Sequence, residues 1–328
     1  MKITKINLQL FAEEGNLNTT ETLSNDMRVY YSDYLIDMAE PKLVHDQFGQ
    51  KCPIPKGNGK TIQFRKYDPL PKMTTPLTEG VTPNGQKLDM GVVNSEVHQY
   101  GGFIELSDIL MLTAIDNNLV QATKLLGGQA GRTLDTITRE VLSGGTNVQY
   151  AEGQVTSREE LVGGQESGNH YLTVDAVRKA VRFLKKMNAD TINGSYVGII
   201  HPDVSYDLMS DPKWLNVKTY SDPEGIYQGE IGKIENVRFV ETSEAKIFEG
   251  AGKDGRNVYS TLILGDNAYG TTEIKGGGLT HIIKQLGSAG TSDPLNQRAT
   301  AGWKATKAAV RLVEPYMIRI ETASTFNN

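Results

Sequence analysis

Cysteine is nearly absent from this chain, which has Cys52 alone among its 328 residues. A single thiol excludes an intrachain disulfide and a cysteine-based zinc site. The protein therefore belongs to a reducing compartment, or it has a fold that needs no covalent cross-links. Cys52 lies in the run Lys-Cys-Pro-Ile-Pro, and we expect a structural thiol there.

Long apolar runs are also missing. No stretch approaches the roughly 20 apolar residues of a membrane-spanning helix. Residues 1–12 alternate apolar and polar side chains and are followed by Glu13 and Glu14, whereas a secretory signal needs a continuous apolar run. With 38% hydrophobic and 22% charged residues, the sequence predicts a globular, soluble protein that is intracellular when made.

Basic residues are fewer than acidic ones, with 34 Lys and Arg against 39 Asp and Glu, and the net charge is −5. A dedicated nucleic-acid-binding domain is usually basic, so this balance argues against one and leaves only contact through a local face. One amphipathic helix, predicted from the N-cap Thr173 to about Asn188, has a basic face. We interpret that face as solvated, with nucleic-acid contact as the alternative. Its members are Arg178, Lys179, Arg182, Lys185 and Lys186.

Two glycine-rich segments resemble phosphate-binding loops but lack the helix that such loops require. Gly57–Thr61 has Ile54 in place of the first glycine, and a strand pattern follows it. Gly250–Gly255 matches the dinucleotide fingerprint by its letters, yet the strand-like residues 257–264 follow it. We therefore predict turns at both segments, a hairpin turn at the second, and no cofactor-binding residues.

Histidine offers no metal pair. The one local arrangement with a carboxylate is His201-Pro-Asp203, at a predicted strand-to-helix turn. A hydrolase would need a nucleophile that the fold brings to this pair, and the sequence names none. We expect a structural His201 and neither catalytic nor metal-binding residues. No two of the five histidines, His45, His98, His170, His201 and His281, lie within ten residues of each other.

Residues 56–106 have too few large apolar side chains to fold alone. An alternating run at Thr61–Tyr67 and a second over 95–106 flank a stretch that is rich in proline and glycine. An isolated hairpin is marginal in water, and structureless insertions of this length are uncommon in compact domains. A disordered loop is the simpler interpretation, but the strand-like flanks favour a projecting arm that packs on another subunit.

Outside this arm the periodicity predicts an α+β fold. Residues 1–55 form an N-terminal arm with a local helix over 26–38. Apolar residues at helical spacing predict a long helix within 107–143, capped by Ser107. Three interior glycines, at positions 127, 128 and 131, leave its continuity open. Short strands dominate the C-terminal half, and their order does not suggest a regular βαβ winding.

Several blocks resemble the major capsid proteins of tailed bacteriophages, specifically the family typified by the phage N4 capsid protein. Ile6–Ala12 resembles that family's opening, and Phe103–Asp108 is similar to its entry into the long helix. The resemblance spans the whole chain and rests on the order and spacing of the blocks. Further blocks are Gln129-Ala130 with Thr133–Thr136 and Arg139, His201–Asp203 with Tyr206–Leu208, Gly229–Gly232 with Val237–Thr242, and Asp293–Arg298 with Gly302–Lys304.

The resemblance implies the tailed-phage capsid fold, which encapsulins share. That fold has an N-terminal arm, an extended β-hairpin loop, a peripheral domain with a long spine helix, and an axial domain. The expected divisions are the arm at 1–55, the extended loop at 56–106, the peripheral domain at 107–170, the axial domain at 171–300 and a return strand of the peripheral domain at 301–328.

The resemblance also implies a function through association. Copies would form pentamers and hexamers of an icosahedral head around double-stranded DNA, which they would enclose without sequence-specific binding. Neighbouring capsomers, scaffolding, portal and decoration proteins are the expected partners, with no membrane and no cofactor. The protein would reside in the virion after assembly in the host cytoplasm. Oligomer contacts are expected at Ile62, Phe64, Tyr67, Val97 and Tyr100. An encapsulin-type cargo shell, or a hydrolase using His201 and Asp203, remains the alternative.

Overall fold

The computed structural model describes residues 35, 43–54, 60–67, 70–88, 90–113, 118–151, 155–163, 170–214, 230–273, 278–288, 290 and 293–326. Most of the predicted N-terminal arm lies outside these residues, as does the local helix over 26–38 apart from Leu35. The glycine-rich segment at 57–59 lies outside them too.

Four α-helices and fifteen strands form within the described residues. The helices are α1 (Asp108–Thr113), α2 (Asn118–Ser143), α3 (Val174–Lys186) and α4 (Pro202–Ser210). The strands are β1 (Gln50–Cys52), β2 (Thr61–Tyr67), β3 (Met90–Glu96), β4 (His98–Ser107), β5 (Val148–Tyr150), β6 (Tyr196–Ile200), β7 (Glu230–Ile234), β8 (Val237–Glu241), β9 (Ile247–Phe248), β10 (Val258–Leu264), β11 (Tyr269–Thr272), β12 (Leu279–Lys284), β13 (Arg298–Lys307), β14 (Ala309–Arg311) and β15 (Met317–Thr322). None of the described helices is long and apolar enough to cross a membrane.

The strands make four sheets. The largest has the order β5-β15-β10-β6-β8-β7, with β9 paired beside β10. Two three-stranded sheets have the orders β12-β13-β4 and β1-β11-β14, and β2 pairs with β3 alone. Parallel and antiparallel pairs occur together in the largest sheet, which agrees with the predicted α+β class.

Helices α3 and α4 cover the largest sheet. The buried stripe of α3 includes Val177, Val181 and Leu184, which share a core with β6, β8, β10 and β15. The predicted cap is confirmed, because the Thr173 side chain accepts a hydrogen bond from the Ala176 N–H. Strand β10 is buried along its whole length, as a strand covered on both faces must be.

Helix α2 packs along the β12-β13-β4 sheet and is continuous through its glycines. Leu126, Ala130 and Leu134 are buried against this sheet. The Trp303 indole N–H donates to Gln129 Oε1 at 3.0 Å and fixes the helix to the middle of β13. Burial of one face therefore outweighs the helix-propensity cost of the glycines, roughly 1 kcal/mol each.

The predicted second strand of the hairpin is two strands with different partners. Strand β3 pairs with β2 from Thr61↔Glu96 to Tyr67↔Met90, whereas β4 pairs with β13 over ten residues. The chain changes sheets at Val97, whose N–H donates to the Lys60 carbonyl oxygen at 2.8 Å. The alternating pattern at 95–106 continues across Val97, so the change of partner strand could not be predicted from the pattern.

The last strand lies inside the largest sheet. Strand β15, which falls within the predicted return strand at 301–328, is placed between β5 and β10. Because a proline cannot donate to a strand ladder, the sequence predicts that Pro315 bends this strand or places it at an edge. That prediction is wrong, since Pro315 lies in a short 3-10 turn, Glu314–Tyr316, before the strand begins. The division of the chain into peripheral and axial domains stays a prediction.

Candidate assembly surface

The β2–β3 hairpin is fastened to its own subunit through one face. Ile62 and Phe64 are only 3% and 2% exposed, and they share a buried cluster with Ala308 and Leu312. Gly270 permits this approach, because a Cβ atom there would overlap the Phe64 ring. Two side chains that we expected a neighbour to bury are therefore already covered within the chain.

The other predicted contact residues have different surroundings. Val97 is half-buried in the same cluster as Phe64. Tyr100 is half-buried against the cluster formed by α2 and β13. The side chain of Tyr67 lies outside the described residues. Nothing in a single chain tests contacts between subunits, so the role of these five residues in oligomerisation stays a prediction.

The loop from residue 70 to residue 88 projects beyond the hairpin and is exposed throughout. Its two limbs stay close together, because the Gln86 side-chain amide donates to the Pro71 carbonyl at 3.0 Å. Large apolar side chains along the loop are exposed to solvent. Soluble monomers rarely expose so many large apolar side chains in one place. Those side chains, all between 53% and 74% exposed, are Leu70, Met73, Leu77, Val81 and Leu88.

A second exposed apolar surface lies on the open face of the β12-β13-β4 sheet, opposite α2. Register places Ile282, Gly302 and Phe103 side by side across the three strands. Ile282 and Phe103 are 45% and 69% exposed, and Gly302 has no side chain between them. The result is a trough of about 400 Å³ between the two apolar side chains, which we call the sheet trough.

Buried polar groups tie the segment before β1 to the rest of the subunit. His45 Nδ1 lies 2.7 Å from Asp135 Oδ2 on α2, and both side chains are almost fully buried. Lys307 on β13 forms an ion pair with Asp46, and the Tyr269 hydroxyl donates to the His45 carbonyl. Burial lowers the pKa of the Lys307 amine, although Asp46 opposes this.

This cluster had no signal in the sequence. Asp46 and Lys307 are 261 positions apart, and neither belongs to a recognisable motif. Its effect is to hold the segment before β1 against α2 and two sheets. A buried ion pair is weak evidence for stability, because desolvation offsets much of its attraction. It does set one arrangement of these segments, since each charge needs its partner.

His201 and Asp203 form a helix cap. His201 Nδ1 accepts a hydrogen bond from the Asp203 N–H at 3.2 Å, at the start of α4. Burial lowers the pKa of His201, against the opposing effects of Asp203 and Glu241. The nearby hydroxyl of Ser205 donates its hydrogen bond to Glu241 at 2.7 Å and not to His201. The arrangement is that of a structural histidine.

Two other expectations concern sites. The segment Gly250–Gly255 joins β9 to β10, which pair antiparallel, so the predicted hairpin turn is confirmed. Gly250 has a φ of 61°, a conformation that favours glycine. Among the described residues, no group of three or more His, Cys, Asp and Glu side chains is placed to hold a metal ion.

Solved structures of phage capsids share this fold. The capsid of Ralstonia phage GP4 matches with a TM-score of 0.64 at 14% identity, over 86% of this chain and 87% of that chain. The head structure of Helicobacter pylori bacteriophage KHP40 matches with a TM-score of 0.61 at 12% identity, over 98% of each chain. The capsid of cyanophage P-SCSP1u matches with a TM-score of 0.60 at 13% identity, over 85% and 87%.

Sequence comparison identifies the family. No curated protein matches the chain significantly. The family model described as phage capsid protein matches residues 111–277, which run from within α1 to just beyond the end of β11. This match covers half of the chain, and the fold agrees with it. The chain belongs to the phage capsid protein family.

Proposed function

We propose that this chain is the major shell protein of an icosahedral phage head, and that its copies assemble as pentamers and hexamers around double-stranded DNA. The observation that carries the proposal is a pair of unmatched apolar surfaces on one chain, the loop at 70–88 and the sheet trough. In a closed shell, the loop of one subunit covers the trough of its neighbour. Each copy then both donates a loop and receives one.

Apolar burial suits this contact in magnitude. Fully burying one large apolar side chain contributes about 1.5–3 kcal/mol, and the five loop side chains are more than half exposed. Covering them therefore supplies about 5–9 kcal/mol per loop before ordering costs are subtracted. Such a contact is weak alone and becomes strong when every subunit repeats it around a closed shell.

The finer assignments belong to the same proposal. The segment 43–52 is the base of an N-terminal arm, residues 56–106 are the extended loop, and α2 is the spine helix. Besides the five predicted contact residues, the exposed side of the hairpin offers Met90 and Val92, which are each 44% exposed. Scaffolding, portal and decoration proteins are the proposed partners, and assembly takes place in the host cytoplasm. Membership of the N4-type branch rests on the sequence blocks.

Loop removal tests the proposal. We would delete residues 68–89 and join Tyr67 to Met90, the last pair of the β2–β3 ladder, with an Asn-Gly turn. The variant should stay soluble and keep its thermal unfolding midpoint, because the loop buries nothing in its own chain. We expect no shells by electron microscopy under conditions in which the unaltered protein forms them.

A matched variant separates loop length from loop chemistry. It keeps every residue of the loop but replaces its five exposed apolar side chains with serine. If apolar burial drives assembly, this variant also fails to form shells. Normal particles from both variants would show that the loop is not an assembly element.

A further inference from the structure

The outward face of α3 concentrates positive charge. Five basic side chains, all exposed, recur at spacings of three and four residues, which places them along one side of the helix. The opposite side carries the apolar stripe that packs on the largest sheet. The five are Arg178, Lys179, Arg182, Lys185 and Lys186, which we call the basic face.

Few carboxylates compensate this charge. Arg178 pairs with Asp175 at 3.2 Å and with Glu235 at 2.7 Å. Lys213 also reaches Asp175. Within the described part of the chain, no ion pair forms at the other end of the face, at Arg182, Lys185 and Lys186. A chain with a net charge of −5 thus carries one local patch of the opposite sign.

Helix stability alone does not explain the patch. Lys185 and Lys186 lie in the last turn, where cations interact favourably with the helix dipole. Lys179 and Arg182 lie further toward the N-terminus, outside the last turn to which this effect is confined. The face also lacks the apolar centre that is usual in a protein interface, because no residue of α3 is among the exposed large apolar side chains.

We propose that the basic face binds the phosphate backbone of duplex DNA without sequence preference. From Arg178 to Lys186 the face is about 12 Å long, at 1.5 Å per residue. A duplex presents about seven phosphates over that length, counted on both strands, so three or four cations besides the ion-paired Arg178 find partners without any deformation of the DNA. Contact of this kind is electrostatic and needs no base-specific group.

The inference deepens the proposed function, because it places α3 on the inner surface of the shell. It also reconciles an acidic chain with an enclosed polyanion. Most of the subunit repels DNA, and one small face holds it loosely. A single copy binds weakly, as non-specific contacts do, and many copies around a shell act together.

The test uses the full-length chain as unassembled capsomers and a fluorescent duplex of about 20 base pairs of mixed sequence. Anisotropy titrations between about 50 and 200 mM salt yield the dependence of log K on log salt. With three or four phosphate contacts, we expect a slope of about −2.7 to −3.6, which is a loss of affinity of about 40- to 150-fold over this range.

The variant with Arg182→Gln, Lys185→Gln and Lys186→Gln should reduce the magnitude of the slope by about 2.7, at 0.9 per contact. Its control changes the net charge equally on three other elements, through Lys124→Gln, Lys253→Gln and Lys284→Gln. The control should keep the original slope. Should the triple variant unfold, Lys186→Gln alone should reduce the slope by about 0.9.

Two results would overturn the inference. One is a slope weaker than about −1.5 for the unaltered protein, since that leaves fewer than two phosphate contacts. The other is an equal loss in the control, since net charge and not the basic face would then be responsible. Shell formation is followed separately by electron microscopy. Failure of the unaltered protein to form shells would count against the proposed function. The salt slope would still decide whether the basic face binds DNA.

Discussion

Three histidines occupy partly buried sites in which burial lowers the pKa of the ring below its usual 6.5: His170, His201 and His281. At His170 the ring Nδ1 accepts a hydrogen bond from the Val162 N–H at 2.9 Å, which also favours the neutral form. Glu160 faces this ring and opposes the shift, but burial prevails. The folded protein therefore binds fewer protons than the unfolded chain just below pH 6.5.

That difference sets the sign of a pH dependence. Where the unfolded state binds more protons, stability falls as pH falls. We expect the free energy of unfolding in urea to decrease from about pH 7.5 to about pH 5.5, the range in which unfolded histidine takes up its proton. The variant His170→Asn should show a smaller decrease, because it has no ring to protonate.

Carboxylates do not obscure this window. The pKa values of Glu140, Glu160 and Asp175 are lowered from 4.5, 4.5 and 3.8, so their stabilisation is lost only at more acidic pH. If the free energy of unfolding stayed constant or rose as the pH fell from about 7.5 to about 5.5, the buried, neutral state of these rings would be contradicted.

Individual elements differ in how well the sequence predicted them. Helix α3, its Thr173 cap and the end of α2 before Gly144 followed from periodicity and capping residues. Strand β13 did not, because its inward residues are mostly alanines with weak strand preference. Those small side chains let α2 approach the sheet closely, which is a property of packing and not of local sequence.

A glycine of helix α2, Gly128, and a glycine of strand β11, Gly270, lead to predictions of opposite sign. A Cβ atom at Gly128 would meet nothing within 4 Å, so Gly128→Ala should stabilise the protein by about 1 kcal/mol through helix propensity. The same change at Gly270 forces a methyl group against the Phe64 ring and should destabilise by about 1–3 kcal/mol.

Urea unfolding of both variants measures the two changes directly. A destabilising Gly128→Ala would mean that the helix is covered at that position by a contact absent from a single chain. A neutral Gly270→Ala would mean that Phe64 moves away without loss, and hence that the hairpin is only loosely attached.

At the scale of the whole molecule, the class and the assembly role followed from the resemblance, while the joining of distant segments did not. The pairing of β15 with β5 and the ion pair of Asp46 with Lys307 connect residues that no short motif links. Both depend on the closed fold. The sheet trough is of the same kind, because β4 lies far along the chain from the consecutive strands β12 and β13.

The trough gives the last prediction. We expect the double variant Phe103→Thr and Ile282→Thr to fold normally, within about 0.5 kcal/mol, because both side chains are largely exposed and threonine suits a strand. The same variant should lose shells, since it removes the apolar walls that a neighbouring loop would cover. Light scattering and electron microscopy measure this loss.

The control is Tyr206→Thr, which removes a large side chain that is 55% exposed on α4, outside the trough. It should still form shells. Combining the trough variant with the serine loop variant adds a further criterion. If the loop and the trough contact each other, the combined variant should assemble no worse than either variant alone, because both remove the same contact. If the double variant assembled normally while the loop variant did not, the loop would bind a different surface of its neighbour. The trough would then have no part in assembly.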